Sequence, residues 1–177
     1  MQRTMTIQGF LDLPESKPGL EFFRGRVTQK PVTNADHIKI VWRLSAAFHG
    51  YAATHGGRGG PEGSVALDGG GPEPEVLLPD FAFWAEGTEM GTYPLSTPTV
   101  AVEVRSPSQT IASQRAKCGF YVEHGVAEAW LFDPVTNRVE LFGADGRREE
   151  YDADDTLISV ALPGLAVDLG EIFDAAG

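Results

Sequence analysis

Thr99-Val100-Ala101-Val102-Glu103-Val104-Arg105, followed at once by Ser106-Pro107-Ser108, is the stretch on which the fold turns. Its valine-rich composition reads as a strand, and the Ser-Pro-Ser tripeptide stops it. Side chains alternate along a strand, so Val100, Val102 and Val104 share one face, while Thr99, Ala101, Glu103 and Arg105 share the other. A helix is expected next, from about Thr110 to His124, closed by Gly125 in the C′ position. A further core strand, Ala129-Trp130-Leu131-Phe132, ends at Asp133-Pro134. This strand–helix–strand order implies a right-handed crossover and a parallel pair.

Working outward, Val76-Leu77-Leu78-Pro79-Asp80-Phe81-Ala82-Phe83-Trp84 reads as a neighbouring strand, with Phe81 and Phe83 on one face and Asp80, Ala82 and Trp84 on the other. Leu20–Thr28 reads as a hairpin turning at Gly25. A helix follows, capped by Thr33 or Asn34, with Ile38, Val41, Leu44, Ala47 and Phe48 as its apolar stripe and its end before Gly50. Residues 56–74, rich in Gly and Pro, read as a mobile loop or irregular hairpin with a short edge strand at Ser64–Leu67. Downstream, Arg138–Phe142 forms a hairpin with the core strand through a turn at Thr136-Asn137. The expectation is an α/β protein with a mixed β-sheet flanked by helices, and residues 1–177 as one domain.

The 42% apolar fraction is ordinary for a globular chain, and no apolar run approaches the ~20 residues of a membrane span. The lone Cys118 cannot form an internal disulfide, and Met1–Met5 opens no apolar signal segment; both suit a cytoplasmic protein. A net charge of −11 argues at first against a nucleic-acid partner. The distribution softens that objection. Residues 139–177 hold ten acids against Arg147 and Arg148, whereas residues 22–59 hold six basic side chains against Asp36. A phosphate is steered by the local field.

Glu103 is the strongest chemical signal. A carboxylate in so apolar a strand must be paired, hydrogen-bonded or bound to a cation, because desolvating it alone costs several kcal/mol. Arg105, two residues on along the same face, is within reach as an ion-pair partner or as a phosphate ligand. Asp80 adds a second carboxylate on the adjacent strand, and two such groups on one face make a hard-oxygen site suited to Mg²⁺ or Mn²⁺. Its plain alternative is a turn aspartate after proline. Lys117 shares a helix face with Thr110, Ser113, Gln114, Tyr121 and His124, opposite Ile111, Cys118 and Val122, which are expected toward the sheet. Its ammonium could orient a water and stabilise developing phosphorane charge; a solvated helix lysine is the plain alternative.

Pro79-Asp80, then Glu103-Val104-Arg105-Ser106-Pro107-Ser108, Lys117, Tyr121, Gly125-Val126 and Trp130-Leu131-Phe132-Asp133-Pro134 together resemble the Uma-type family of candidate restriction endonucleases, in the PD-(D/E)xK nuclease superfamily. Leu20-Glu21-Phe22-Phe23-Arg24-Gly25 resembles that family's opening hairpin, His37 its helix-start histidine, and Leu162-Pro163-Gly164-Leu165 its C-terminal turn; the likeness covers about residues 20–173. The resemblance implies a restriction-endonuclease-like fold and Mg²⁺-dependent hydrolysis of DNA phosphodiesters. It makes Asp80 and Glu103 metal ligands, the Val104 carbonyl a backbone ligand, and Glu21 an outer-shell acid. The superfamily lysine two residues after the second carboxylate is Arg105 here, and arginine cannot act as a base. The Uma-type pattern places a lysine on the following helix instead, which makes Lys117 the candidate.

Histidines and Cys118 lack zinc spacing, and Gly56–Gly60 lacks the Gly-Lys-Ser/Thr ending of a phosphate loop. Trp84, Trp130 and Cys118 read as core. The leading expectation is an endonuclease in which Asp80 and Glu103 hold Mg²⁺ or Mn²⁺, Lys117 positions or activates water and Arg105 contacts the scissile phosphate. A double-strand cut by so small a domain would favour a homodimer. The rivals are a catalytically inactive nuclease-fold module for DNA binding or assembly, and a metal-dependent hydrolase of another phosphoester.

Overall fold

A computed structural model describes residues 5–68 and 74–174. In chain order these form α1 (Ile7–Leu11), β1 (Leu20–Phe23), β2 (Arg26–Gln29), α2 (Ala35–His55), β3 (Arg58–Pro61), β4 (Val65–Leu67), β5 (Glu75–Leu77) and β6 (Phe81–Trp84). The second half adds β7 (Val100–Val104), α3 (Ile111–Glu123), β8 (Glu128–Asp133), β9 (Arg138–Gly143), β10 (Arg148–Tyr151), β11 (Thr156–Ile158), β12 (Ala166–Asp168) and α4 (Leu169–Phe173).

β7 and β8 run parallel, with Val100 opposite Glu128 and Val104 opposite Phe132, and α3 is the crossover between them. They lie at the centre of a six-stranded sheet in the order β10-β9-β8-β7-β6-β3, whose remaining pairs are antiparallel. A four-stranded antiparallel sheet, β2-β1-β5-β4, stands beside it. The expected mixed sheet flanked by helices is therefore what forms.

The alternation of β7 divides the core. Val100, Val102 and Val104 join Phe81, Phe83, Trp130 and Phe132 on one face, covered by α2, α4 and the β11–β12 hairpin. Phe48 of α2 anchors that layer, its ring 4.8 Å from Phe81 and 5.4 Å from Trp130. Ala101 joins Ala82, Trp84, Ala129 and Leu131 on the other face, beneath Cys118 and Tyr121 of α3. Truncating an aromatic such as Phe48 would cost about 3–5 kcal/mol.

Four local expectations change. The run from Val76 to Trp84 is two strands, not one: β5 belongs to the four-stranded sheet and β6 to the six-stranded one. Pro79 lacks the N–H that a continuous ladder needs, and the chain changes sheets across Leu78–Asp80. α2 is capped by Asn34, whose side chain accepts from the His37 amide, and continues through the exposed Gly50 to His55, with Gly56 as its C-cap. Glycine costs such a helix about 1 kcal/mol, which packing overrides: the ring of Tyr51 lies 5.9 Å from that of Phe83. Ile38 is exposed, and the buried stripe is His37, Ile40, Val41, Leu44 and Phe48.

The Gly-rich stretch after α2 is an edge strand. β3 pairs with β6, Gly59 opposite Phe83 and Gly60 opposite Ala82. A Cβ on Gly59 would stand 2.5 Å from the Ala82 carbonyl, so glycine here permits close backbone approach. β4 includes most of the expected edge segment, and residues 69–73 of that loop lie outside the described residues.

Candidate active site

The change of sheets at Pro79 creates the site. Asp80 follows it directly, and its amide donates to the Val102 carbonyl (2.9 Å). The β6–β7 ladder stops at the Phe81–Val102 pair, so the Val104 amide lies beyond its reach. The Asp80 Oδ2 takes that amide instead, at 2.6 Å. Its Oδ1 accepts from the ammonium of Lys30 and lies 3.0 Å from the Nε2 of His37. Burial opposes the charge on Asp80, but Lys30 and His37 outweigh it and hold the carboxyl well below the usual range.

Glu103 sits one face-step from the core valines and is 2% exposed. Its Oε1 accepts from the Lys117 ammonium (2.8 Å) and from the Tyr121 hydroxyl (2.8 Å). Burial pushes its carboxyl up, ahead of the opposing pull of Lys117 and Lys30. Lys117 reaches the Oε1 of Glu21 as well, at 2.6 Å, and so links β1 of the smaller sheet to β7 of the larger one. Burial opposes its charge, but Glu103 and Glu21 outweigh it and hold Lys117 above the ordinary lysine range. As it stands it is an ammonium and a hydrogen-bond donor.

The backbone of Leu78, in the sheet-switching segment, is held from both sides. Its N–H donates to Glu21 (2.9 Å) and its carbonyl accepts from Lys30 (2.6 Å). A cavity of about 970 Å³ opens on this junction, its lining including Lys30, His37, Asp80, Glu103, Val104 and Ser106. Lys117 reaches Glu103, and Glu21 reaches Lys117, from outside that lining.

The geometry thus gathers Asp80, Glu103, Val104, Glu21 and Lys117 around one junction and leaves Arg105 apart. The Arg105 guanidinium donates to Asp133 at 2.9 and 2.8 Å and to the Gln109 carbonyl at 3.2 Å. The Glu103–Arg105 pair that strand spacing allowed does not form; the glutamate takes Lys117. α3 also faces differently from its expected phasing. Gln114, Cys118 and Tyr121 are buried and Lys117 is nearly so, while Ile111 and Val122 are only partly buried. Cys118 faces the sheet as expected, but part of the stripe that looked polar turns inward with it, because Lys117 and Tyr121 meet the buried Glu103.

Lys30, His37 and Tyr121 complete the site and were not among its expected members. Tyr121 had a signal, one helical turn after Lys117. The helix-start His37 had only the family likeness. Lys30 had none, since its position depends on how the two sheets meet.

The carboxylates and the Val104 carbonyl are hard oxygen donors, a chemistry that suits Mg²⁺ or Mn²⁺. The same carboxylates already gather two ammonium groups, which shows the sign of the local field. Among the described residues no three His, Cys, Asp or Glu side chains form a ready-made cation nest.

The Uma2 family model, described as "Putative restriction endonuclease", matches residues 7–170. Among solved structures, the chain is similar to "a putative nuclease belonging to DUF820 from Anabaena variabilis ATCC 29413", with a TM-score of 0.83 and 19% identity over 96% of this chain and 98% of that one. No curated protein matches. At that identity the structural likeness speaks for the fold alone, shared from end to end. With the family match spanning nearly all of the described residues, the chain belongs to the Uma2 family.

Proposed function

We propose that this chain, acting as one restriction-endonuclease-like domain of the PD-(D/E)xK type, is a Mg²⁺- or Mn²⁺-dependent endonuclease that hydrolyses DNA phosphodiesters. The observation that carries the reading is the meeting of Asp80, Glu103, Glu21 and Lys117 where the chain passes from one sheet to the other. Asp80, Glu103 and the Val104 carbonyl would hold the ion, with Glu21 behind them. A bound divalent cation there supplies Lewis acidity toward a phosphoryl oxygen and lowers the pKa of water.

The chain's own groups do the rest. Lys117, kept charged by Glu103 and Glu21, orients the attacking water and stabilises the negative charge that grows on the phosphoryl oxygens. Water attacks phosphorus, the P–O bond to the leaving sugar oxygen breaks, and that oxygen takes up a proton. Tyr121 fixes the Glu103 carboxylate beside Lys117. Arg105 steadies the ends of β7 and β8 through Asp133, and a phosphate contact would require it to leave that partner. A homodimer would let two such sites cut both strands.

Mn²⁺ titration by calorimetry, alongside plasmid nicking, tests this reading. Binding to the wild type and its loss in Asp80→Ala support the site, and nicking that falls in Lys117→Met supports catalysis. Mn²⁺ binding without nicking would instead favour the catalytically inactive DNA-binding or assembly module.

A further inference from the structure

Asp80 is more heavily engaged than a waiting metal ligand needs to be. A carboxylate offers about four lone-pair positions, two on each oxygen. On Oδ1 both are taken, by Lys30 and His37; on Oδ2 one is taken, by the Val104 amide. The Val104 amide is part of the sheet and cannot leave. Lys30 can: it stands at the exit of β2, just before Pro31, on a four-carbon stem that lines the cavity. Yet it is no loose surface lysine, being only 11% exposed in its side chain and clamped also by the Leu78 carbonyl at 2.6 Å.

We propose that Lys30 is a built-in competitor for the metal site: its ammonium holds Asp80 and must leave before a divalent cation settles there, so Lys30 sets the metal concentration at which the site loads. This rests on the reading of Asp80 and Glu103 as metal ligands. The physical basis is charge. An ammonium held against a carboxylate spends the potential that would otherwise attract the ion, and it repels a divalent cation at contact distance. Lys117 differs, because it bridges two carboxylates in two sheets and need not move from Asp80.

The test is Mn²⁺ binding to the full chain, followed by calorimetry, in wild type and Lys30→Gln. Glutamine keeps amide donors for Asp80 and Leu78 while removing the charge. At least tenfold tighter binding in Lys30→Gln is expected; equal or weaker binding overturns the proposal while the metal reading of the site stands. If neither protein binds Mn²⁺, the metal reading falls and the proposal with it. A second measurement uses the wild type alone, so that it stands even if the variant folds poorly. Lysine acylation, read by peptide mass spectrometry, should rise severalfold at Lys30 on saturation with Mn²⁺ while Lys39 is unchanged. Lys30 that stays protected in the loaded protein overturns displacement.

Discussion

Glu103 and Glu128 are two nearly wholly buried glutamates on adjacent parallel strands, 2% and 1% exposed, and they are treated in opposite ways. Glu128 opens β8 opposite Val100, so the two lie three register steps apart, roughly 10 Å along the strands. They also face opposite sides of the sheet: Glu128 shares its face with Trp130, Glu103 with Ala101. Glu128 receives donors on both oxygens. Arg147 (2.7 Å), Val160 N (2.8 Å) and Ala161 N (3.1 Å) meet Oε1; Ser159 (2.8 Å) and Trp130 (3.1 Å) meet Oε2. Burial opposes its charge, but these donors prevail and its carboxyl is held low. Glu103 has Lys117 and Tyr121 on Oε1, borders a cavity, and is pushed up. A saturated buried carboxylate staples a fold. One with capacity left over, facing a cavity, is built to take something else.

The largest break in this contrast is Glu128→Ala. It strips one acceptor from five donors and leaves the Arg147 guanidinium, whose charge Glu128 offsets, without that partner. Removing one member of a buried, hydrogen-bonded ion pair costs about 3–5 kcal/mol. Urea unfolding should record that loss, with Mn²⁺ affinity of the folded fraction unchanged. Glu103→Gln leaves Lys117 its Glu21 partner and keeps an acceptor for the Tyr121 hydroxyl, so the unfolding free energy should fall by less than in Glu128→Ala, with loss of Mn²⁺ binding. Equal destabilisation by the two substitutions would remove the distinction between staple and site.

Lys117→Met follows in size. Nicking should fall about 100-fold, equivalent to about 2.7 kcal/mol of transition-state stabilisation. Because the methionine leaves Glu103 and Glu21 facing each other without their shared ammonium, Mn²⁺ should bind at least as tightly as in the wild type. A fall in metal affinity that accounts for the whole loss of nicking would make Lys117 a support for the ligands only.

This contrast was half legible in the sequence. Strand alternation placed Glu103 correctly, because a period of two survives in any well-ordered strand. Nothing local marks Glu128, since its donors come from Arg147 and the segment around Ser159, which only the tertiary fold brings near. The α3 face was misassigned for a related reason. Amphipathic phasing assumes that polar residues meet water, and Lys117 and Tyr121 turn inward because the Glu103 carboxylate awaits them. The sheet switch at Pro79 and the edge strand β3 were hidden by Pro and Gly, which break local patterns while serving close approach and a change of direction. Local rules fail most where the chain assembles its site.

A pH series sharpens the comparison at lower amplitude. Glu128 is held low in the fold, so its contribution is present above the ordinary glutamate value near pH 4.3 and is lost as pH falls through its lowered folded value. The stability gap between wild type and Glu128→Gln, from urea midpoints in chelator, should be full at pH 6–7 and should shrink as pH falls below about 4.3. A gap that widens on acidification would mean that the folded protein does not hold Glu128 as a carboxylate.

The smallest effects come from removing one donor at each glutamate, and they separate the two by kind. Ser159→Ala takes one of the five donors from Glu128, together with the Ser159 Oγ that accepts the Leu162 amide at 3.0 Å. The loss should be about 1–2 kcal/mol, because a net hydrogen bond is worth about 1 kcal/mol and the Leu162 amide loses its partner too. Tyr121→Phe takes one of two donors from Glu103 and keeps the ring that packs in the α3 layer. Here the unfolding free energy should change by about 1 kcal/mol or less, since a carboxylate freed of its hydroxyl still has Lys117. Its Mn²⁺ affinity should rise by a few fold, as the hydroxyl no longer competes for Oε1. Ser159→Ala, on the opposite face and at the opposite end of the strands, should leave Mn²⁺ affinity where it was. Calorimetry on both variants decides it: a change of metal affinity in Ser159→Ala and none in Tyr121→Phe would reverse the assignment of the two carboxylates.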